Sequence, residues 1–191
     1  MGFVFSLANK HAILLAKLNY DIHLSGDIEM EDVLHEIAEE LGKLESMDEA
    51  IAMAIELEEE GREYYLEKAS AMEHATGTDI YTFLADEEKK HADYLRHFRE
   101  SKKVPVVEFT YPDFKASFKE EFSGKMLEEI GILLGALRFE HKSEYFYEEM
   151  AKRATDEEQK KFFEDMEGVE RSHYLIIEEL LEYATQFRMQ T

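Results

Sequence analysis

Two short stretches hold the residues best suited to chemistry: Glu88-Lys-Lys-His91 and Glu170-Arg-Ser-His173. Residues three apart on a helix sit on one face a turn apart, so each stretch points a carboxylate and an imidazole the same way. Their helical neighbours are apolar, with Leu84, Leu95 and Phe98 around the first and Met166, Ile177 and Leu180 around the second. Ionisable groups inside an apolar stripe are costly unless something compensates them. Bound metal is the expected compensation.

The likeness of the two stretches extends along the chain. Adding 82 to a residue number carries Glu58 onto Glu140, Tyr65 onto Tyr147, Ala54 onto Ala136, Ala69 onto Ala151 and Tyr81 onto Phe163. No gap is needed, which points to a duplicated pair of helices. Each half then supplies a lone Glu on its first helix and a Glu-x-x-His on its second. The candidate metal ligands are Glu58, Glu88, His91, Glu140, Glu170 and His173. That is the ligand set of di-iron and di-manganese carboxylate bundles. Four carboxylates balance two divalent ions and neutral imidazoles add nothing, so the filled site can be buried. Empty, the four carboxylates could not all stay ionised. Oxygen ligands with one imidazole per ion suit iron or manganese, with zinc as an alternative. Tyr65 and Tyr147, two turns beyond Glu58 and Glu140, read either as core aromatics or as donors whose hydroxyls reach ligating carboxylates.

These residues need four helices to hold them. Ser46-Met-Asp-Glu49 is a capping box opening the first helix, expected to run to about residue 74 before Thr76-Gly77-Thr78. The second is expected over about 79–101, the third over 125–153 and the fourth from the capping box Thr155-Asp-Glu-Glu158 to about residue 187. Helix pairs 46–102 and 125–187 are joined by residues 103–124, which contain both prolines and are long enough to cross the length of a helix. Weak strand character is confined to Val104–Phe109. The expected fold is all-α, a ferritin-like four-helix bundle over 46–191 with one long crossover. Residues 1–45 form an N-terminal helical extension. Within it, Phe3–Leu18 has an amphipathic pattern, and Val33, Ile37, Leu41 and Leu44 recur at helical spacing. This extension either covers the bundle or makes a subunit contact. Asp32-x-x-His35 imitates the metal stretches but has no repeat counterpart, and is read as a solvated helix face.

Composition narrows the function. A formal charge of −22 disfavours nucleic acid and anionic membranes as partners and favours cations. With no cysteine there is no disulfide, thiolate-bound zinc or iron–sulfur centre. The longest apolar run is interrupted by Asn9, Lys10 and His11, too early for a membrane span. A cytoplasmic location is expected.

The sequence resembles the rubrerythrin branch of the ferritin-like superfamily over residues 47–187. The likeness rests on Ala54-Ile-Glu-Leu-Glu58 with Tyr65, on Ala85-Asp-Glu-Glu88-Lys-Lys-His91, and on their echoes 82 residues later. It implies a non-haem site with two iron ions per chain that reacts with hydrogen peroxide or dioxygen. It also implies Glu88 and Glu170 as bridging ligands, Glu58 and Glu140 as terminal or shifting ligands, and His91 and His173 as terminal ones. Two departures stand out. Rubrerythrins usually carry a rubredoxin domain, which a chain without cysteine does not supply, so a separate rubredoxin-like electron donor is expected. They also carry a further Glu one turn beyond the third-helix ligand, where this chain has Ser143; Gly61 holds the matching place in the first half. The expected activity is a peroxide- or dioxygen-reducing oxidase or peroxidase in a homodimer. A ferroxidase or iron-handling protein and a di-iron oxygenase are the alternatives.

Overall fold

Two helices of this sequence begin where a side chain takes over unsatisfied N–H groups of the first turn. A computed structural model describes residues 28–44, 46–72, 75–108 and 126–188. Five helices account for most of them: α1 (Ile28–Lys43), α2 (Met47–Ala71), α3 (Ala75–Ser101), α4 (Met126–Arg153) and α5 (Glu157–Arg188). Ser46 caps α2 as expected, its hydroxyl accepting from the Glu49 N–H at 3.2 Å. At α5 the cap is Asp156 and not Thr155. The Asp156 carboxylate accepts from the N–H groups of Glu158 and Gln159 at 2.9 and 3.0 Å, whereas the Thr155 hydroxyl in a capping box would have accepted from Glu158 alone.

One other local expectation is corrected. Thr76-Gly77-Thr78 lies inside α3, which starts at Ala75, four residues before the expected Asp79. The side chain of Met72 lies over Gly77, whose missing Cβ makes room for it. Residues 104–108, where the sequence has weak strand character, form neither helix nor strand. The pattern at Phe3–Leu18 and residues 109–125 of the crossover lie outside the described residues.

Short connections make α2 and α3 one antiparallel pair and α4 and α5 another, each packed along its length. The two pairs are held together by crossed hydrogen bonds. Tyr65 on α2 donates to Glu140 on α4, and Tyr147 on α4 donates to Glu58 on α2. Low numbers on one helix meet high numbers on the other, so α2 and α4 are antiparallel and α3 and α4 run the same way. The end of α3 at Ser101 and the start of α4 at Met126 therefore lie at opposite ends of the bundle, about 40 Å apart for helices of this length.

The core is in two apolar sections. One gathers Ile51, Ala54, Leu95, Phe98, Phe146, Phe162 and Phe163; the other gathers Tyr65, Ile80, Leu84, Leu133, Ala136, Ile177 and Leu180. On every one of the four helices the candidate ligands fall between the two sections. Helix α1 closes the first section with Ile37 and Leu41, and the Arg153 guanidinium donates to the Leu41 carbonyl. This part of the N-terminal extension covers the bundle. His35, at the end of the Asp32-x-x-His35 imitation, is exposed beside Glu39.

Candidate metal centre

Glu58, Glu88, His91, Glu140, Glu170 and His173 meet in a single layer across the middle of the bundle. All six are at most 1% exposed. Two groups of four emerge, each with its donor atoms within 4.8 Å of one another: Glu58, Glu88, His91 and Glu170, and Glu88, Glu140, Glu170 and His173. Glu88 and Glu170 belong to both groups, the placement a bridging carboxylate requires. The two imidazoles stack at 5.4 Å and present the same nitrogen to the carboxylates. His91 Nδ1 is 3.2 Å from Glu58, 3.5 Å from Glu88 and 2.8 Å from Glu170. His173 Nδ1 is 3.5 Å from Glu140 and 3.7 Å from Glu170.

The hydroxyls of Tyr65 and Tyr147 reach this layer from the opposite halves of the repeat. Burial raises both phenols well above their ordinary range, and Glu140 beside Tyr65 and Glu58 beside Tyr147 raise them further. Both therefore remain proton donors, each holding one oxygen of a carboxylate and leaving the other free to turn inward.

The layer is short of positive charge. Burial drives Glu88 well above the usual carboxylate range, with Glu58 and Glu170 adding repulsion. Burial likewise lifts Glu140 to about 7 against the pull of His173. For the histidines burial acts downward but loses to the carboxylates: Glu170 and Glu58 hold His91 well above its ordinary value, and Glu140 and Glu170 carry His173 up to about 9. Glu170 goes the other way, since His91 and His173 on either side outweigh its burial. Burial and crowding thus favour the protonated forms of Glu88, Glu140, His91 and His173.

Among the described residues, nine buried side-chain atoms have no hydrogen-bond partner. Eight of them belong to Glu88, His91, Glu140, Glu170 and His173, and include both oxygens of Glu88 and of Glu170. Unpaired buried polar atoms are costly, and their gathering in one layer of oxygen and imidazole donors fits two hard divalent ions. The ninth is the Ser143 hydroxyl, fully buried at the place of the missing carboxylate.

At two places near the layer the halves of the repeat carry different residues. Glu87 is 1% exposed and lies beside His91 and His173, whereas its repeat equivalent is the buried Val169. Duplication does not mark such a residue; its i,i+4 spacing to His91 is the signal the sequence carries. The second is Gly61. A Cβ there would sit 2.5 Å from the Phe139 ring and 3.3 Å from the Glu88 carboxyl carbon. The missing side chain admits Phe139, which stacks on Tyr64 and meets Tyr65 edge-on.

A solved structure of a hypothetical protein from Pyrococcus furiosus is similar in fold, with a TM-score of 0.61 and 21% identity, covering 81% of this chain and 96% of that one. No match to a curated protein was found. The sequence model of the rubrerythrin family matches residues 49–181, a span that runs from the first turn of α2 into α5 and includes every residue of the buried Glu/His layer. With that layer on four helices of a ferritin-like bundle, the chain belongs to the rubrerythrin family of di-iron proteins.

Proposed function

We propose that this protein is a di-iron oxidoreductase that reduces hydrogen peroxide or dioxygen with electrons from a separate redox protein. The observation that carries the reading is the pair of overlapping four-residue groups sharing Glu88 and Glu170. Glu58 and His91 would serve one metal position, Glu140 and His173 the other, and Glu88 and Glu170 both. Two ferrous ions bound there supply the electron pair that cleavage of an O–O bond requires.

The chain's own residues prepare the site for that chemistry. Tyr147 and Tyr65 fix Glu58 and Glu140, so the reacting centre is held in place before an oxidant arrives. The apolar sections on either side exclude bulk water and strengthen every electrostatic interaction between them. Reduction of peroxide consumes two electrons and two protons and releases two waters. The 191 residues contain no cysteine to bind a thiolate-ligated iron centre, and on this reading a separate donor such as a rubredoxin-like protein supplies the two electrons.

Stopped-flow mixing of anaerobic, iron-loaded protein with peroxide and with dioxygen tests the reading. The expected result is oxidation of both irons by either reagent, followed by re-reduction when a donor protein is added. Oxidation no faster than that of iron in buffer would contradict it.

A further inference from the structure

Glu87 is buried and outside the six-residue ligand set. One of its oxygens takes the Lys90 ammonium, on a side chain 45% exposed, so Glu87 has its counter-charge outside the Glu/His layer. The other oxygen faces the outer nitrogen of His173, 3.9 Å from Nε2. That separation is about 1 Å longer than a hydrogen bond, and His173 Nε2 has no other partner. Glu87, His91 and His173 each offer an atom within 4.8 Å of the others.

An imidazole that gives Nδ1 to a metal carries its proton on Nε2 and needs an acceptor there. At the place in the second half that matches Glu87, Val169 has nothing to accept with. The two halves, alike in all six ligands, differ behind their histidines.

We propose that Glu87 is a positioning residue that accepts a hydrogen bond from His173 Nε2–H in the loaded protein and makes the two metal positions unequal. This rests on the metal-centre reading above. The position served by Glu140 and His173 has its imidazole oriented and made more basic by a carboxylate, so it binds metal more tightly than the one served by Glu58 and His91. Lys90 keeps Glu87 in place and screens it from solvent.

Zinc(II) tests this without redox chemistry. Metal-free wild-type, Glu87→Val and Glu87→Gln proteins are titrated against a competing chelator, and the imidazole N–H resonances of the zinc-loaded forms are followed with 15N-labelled histidine. Wild type is expected to take up two zinc ions in two steps, with a downfield His173 Nε2–H signal slow to exchange. Glu87→Val should weaken the tighter step by about 10–100-fold and abolish the slow exchange, bringing the two steps together. Glu87→Gln is nearly isosteric and keeps an acceptor oxygen, so it should retain the signal at a shifted position and lose less affinity. If Glu87→Val does not fold, the glutamine variant decides. Two zinc ions bound with the steps and the His173 signal unchanged in the variants overturns the role of Glu87 and leaves the metal centre intact. Fewer than two zinc ions in wild type overturns the metal centre, and this role with it.

Discussion

Each tyrosine of the repeat holds the carboxylate of the other half, so the hydroxyls join the two helix pairs at the site itself. Tyr147→Phe removes the partner of one Glu58 oxygen and leaves that carboxylate free to rotate. The expected outcome is about a 10–100-fold loss of metal affinity, measured by chelator competition, with a similar loss in Tyr65→Phe. Unchanged affinity in both variants would remove the tyrosines from the account. Ser143 concerns the choice of oxidant. Its hydroxyl is buried and unpartnered where the family pattern has a carboxylate. One more anionic group there would stabilise the ferric state, so Ser143→Glu should raise the peroxide rate relative to the dioxygen rate. A tenfold change in the ratio corresponds to about 1.4 kcal/mol of differential barrier. Matched stopped-flow rates for the two proteins check this, and an unchanged ratio contradicts it. At this scale the six ligand candidates and both tyrosines were legible because each has a duplicate, and duplication separates them from a background of 44 acidic residues. Glu87 was not legible by that route, since its equivalent is Val169. The crossed pairing of the tyrosines was hidden too, because it depends on how the two halves face each other.

Helix boundaries follow the chemistry of their caps. Ser46 was readable because its hydroxyl reaches the third residue on, whereas Thr155 was displaced by the better acceptor Asp156 next to it. Thr76-Gly77-Thr78 has the composition of a turn, but a helix tolerates a single glycine for about 1 kcal/mol, and here that glycine lies under Met72. Periodicity located the helices within a few residues, yet it could not report the packing between them. Gly61 is the clearest case. In sequence it is only a helix glycine at the place of Ser143; in the bundle it makes room for the Phe139 ring against Tyr64 and Tyr65. Gly61→Ala would gain helix propensity but overpack a rigid ring, and overpacking typically costs about 1–3 kcal/mol. Thermal melting of the metal-free variant should show a net loss of stability. A melting temperature equal to or above wild type would mean that Phe139 yields freely.

The whole molecule balances two apolar sections against a layer that is short of positive charge. Without metal, protons meet that need, and pH then controls stability. Glu88 and Glu140 have raised values, Glu140 to about 7, and the histidines are raised as well, His173 to about 9. A group raised in the folded state binds more protons there than in the unfolded chain, so stability falls as pH rises between its two values. For Glu140 that window is from its ordinary 4.5 to about 7, and for His173 from 6.5 to about 9. Glu170 is depressed, so its contribution is present above 4.5 and is lost only at lower pH. The melting temperature of the metal-free protein should therefore fall steadily from pH 5 to pH 8. A flat or rising profile would count against the crowded carboxylates. Metal replaces those protons, so loading should raise the melting temperature by more at pH 8 than at pH 5. The most direct measurement is the number of metal ions held by the native chain. Protein loaded with ferrous iron without oxygen and freed of excess should contain two irons per chain in one coupled site, as seen by metal analysis and by Mössbauer spectroscopy of the oxidised form. One iron per chain, two uncoupled irons, or none under conditions that load other di-iron proteins would contradict a dinuclear centre at Glu58, Glu88, His91, Glu140, Glu170 and His173.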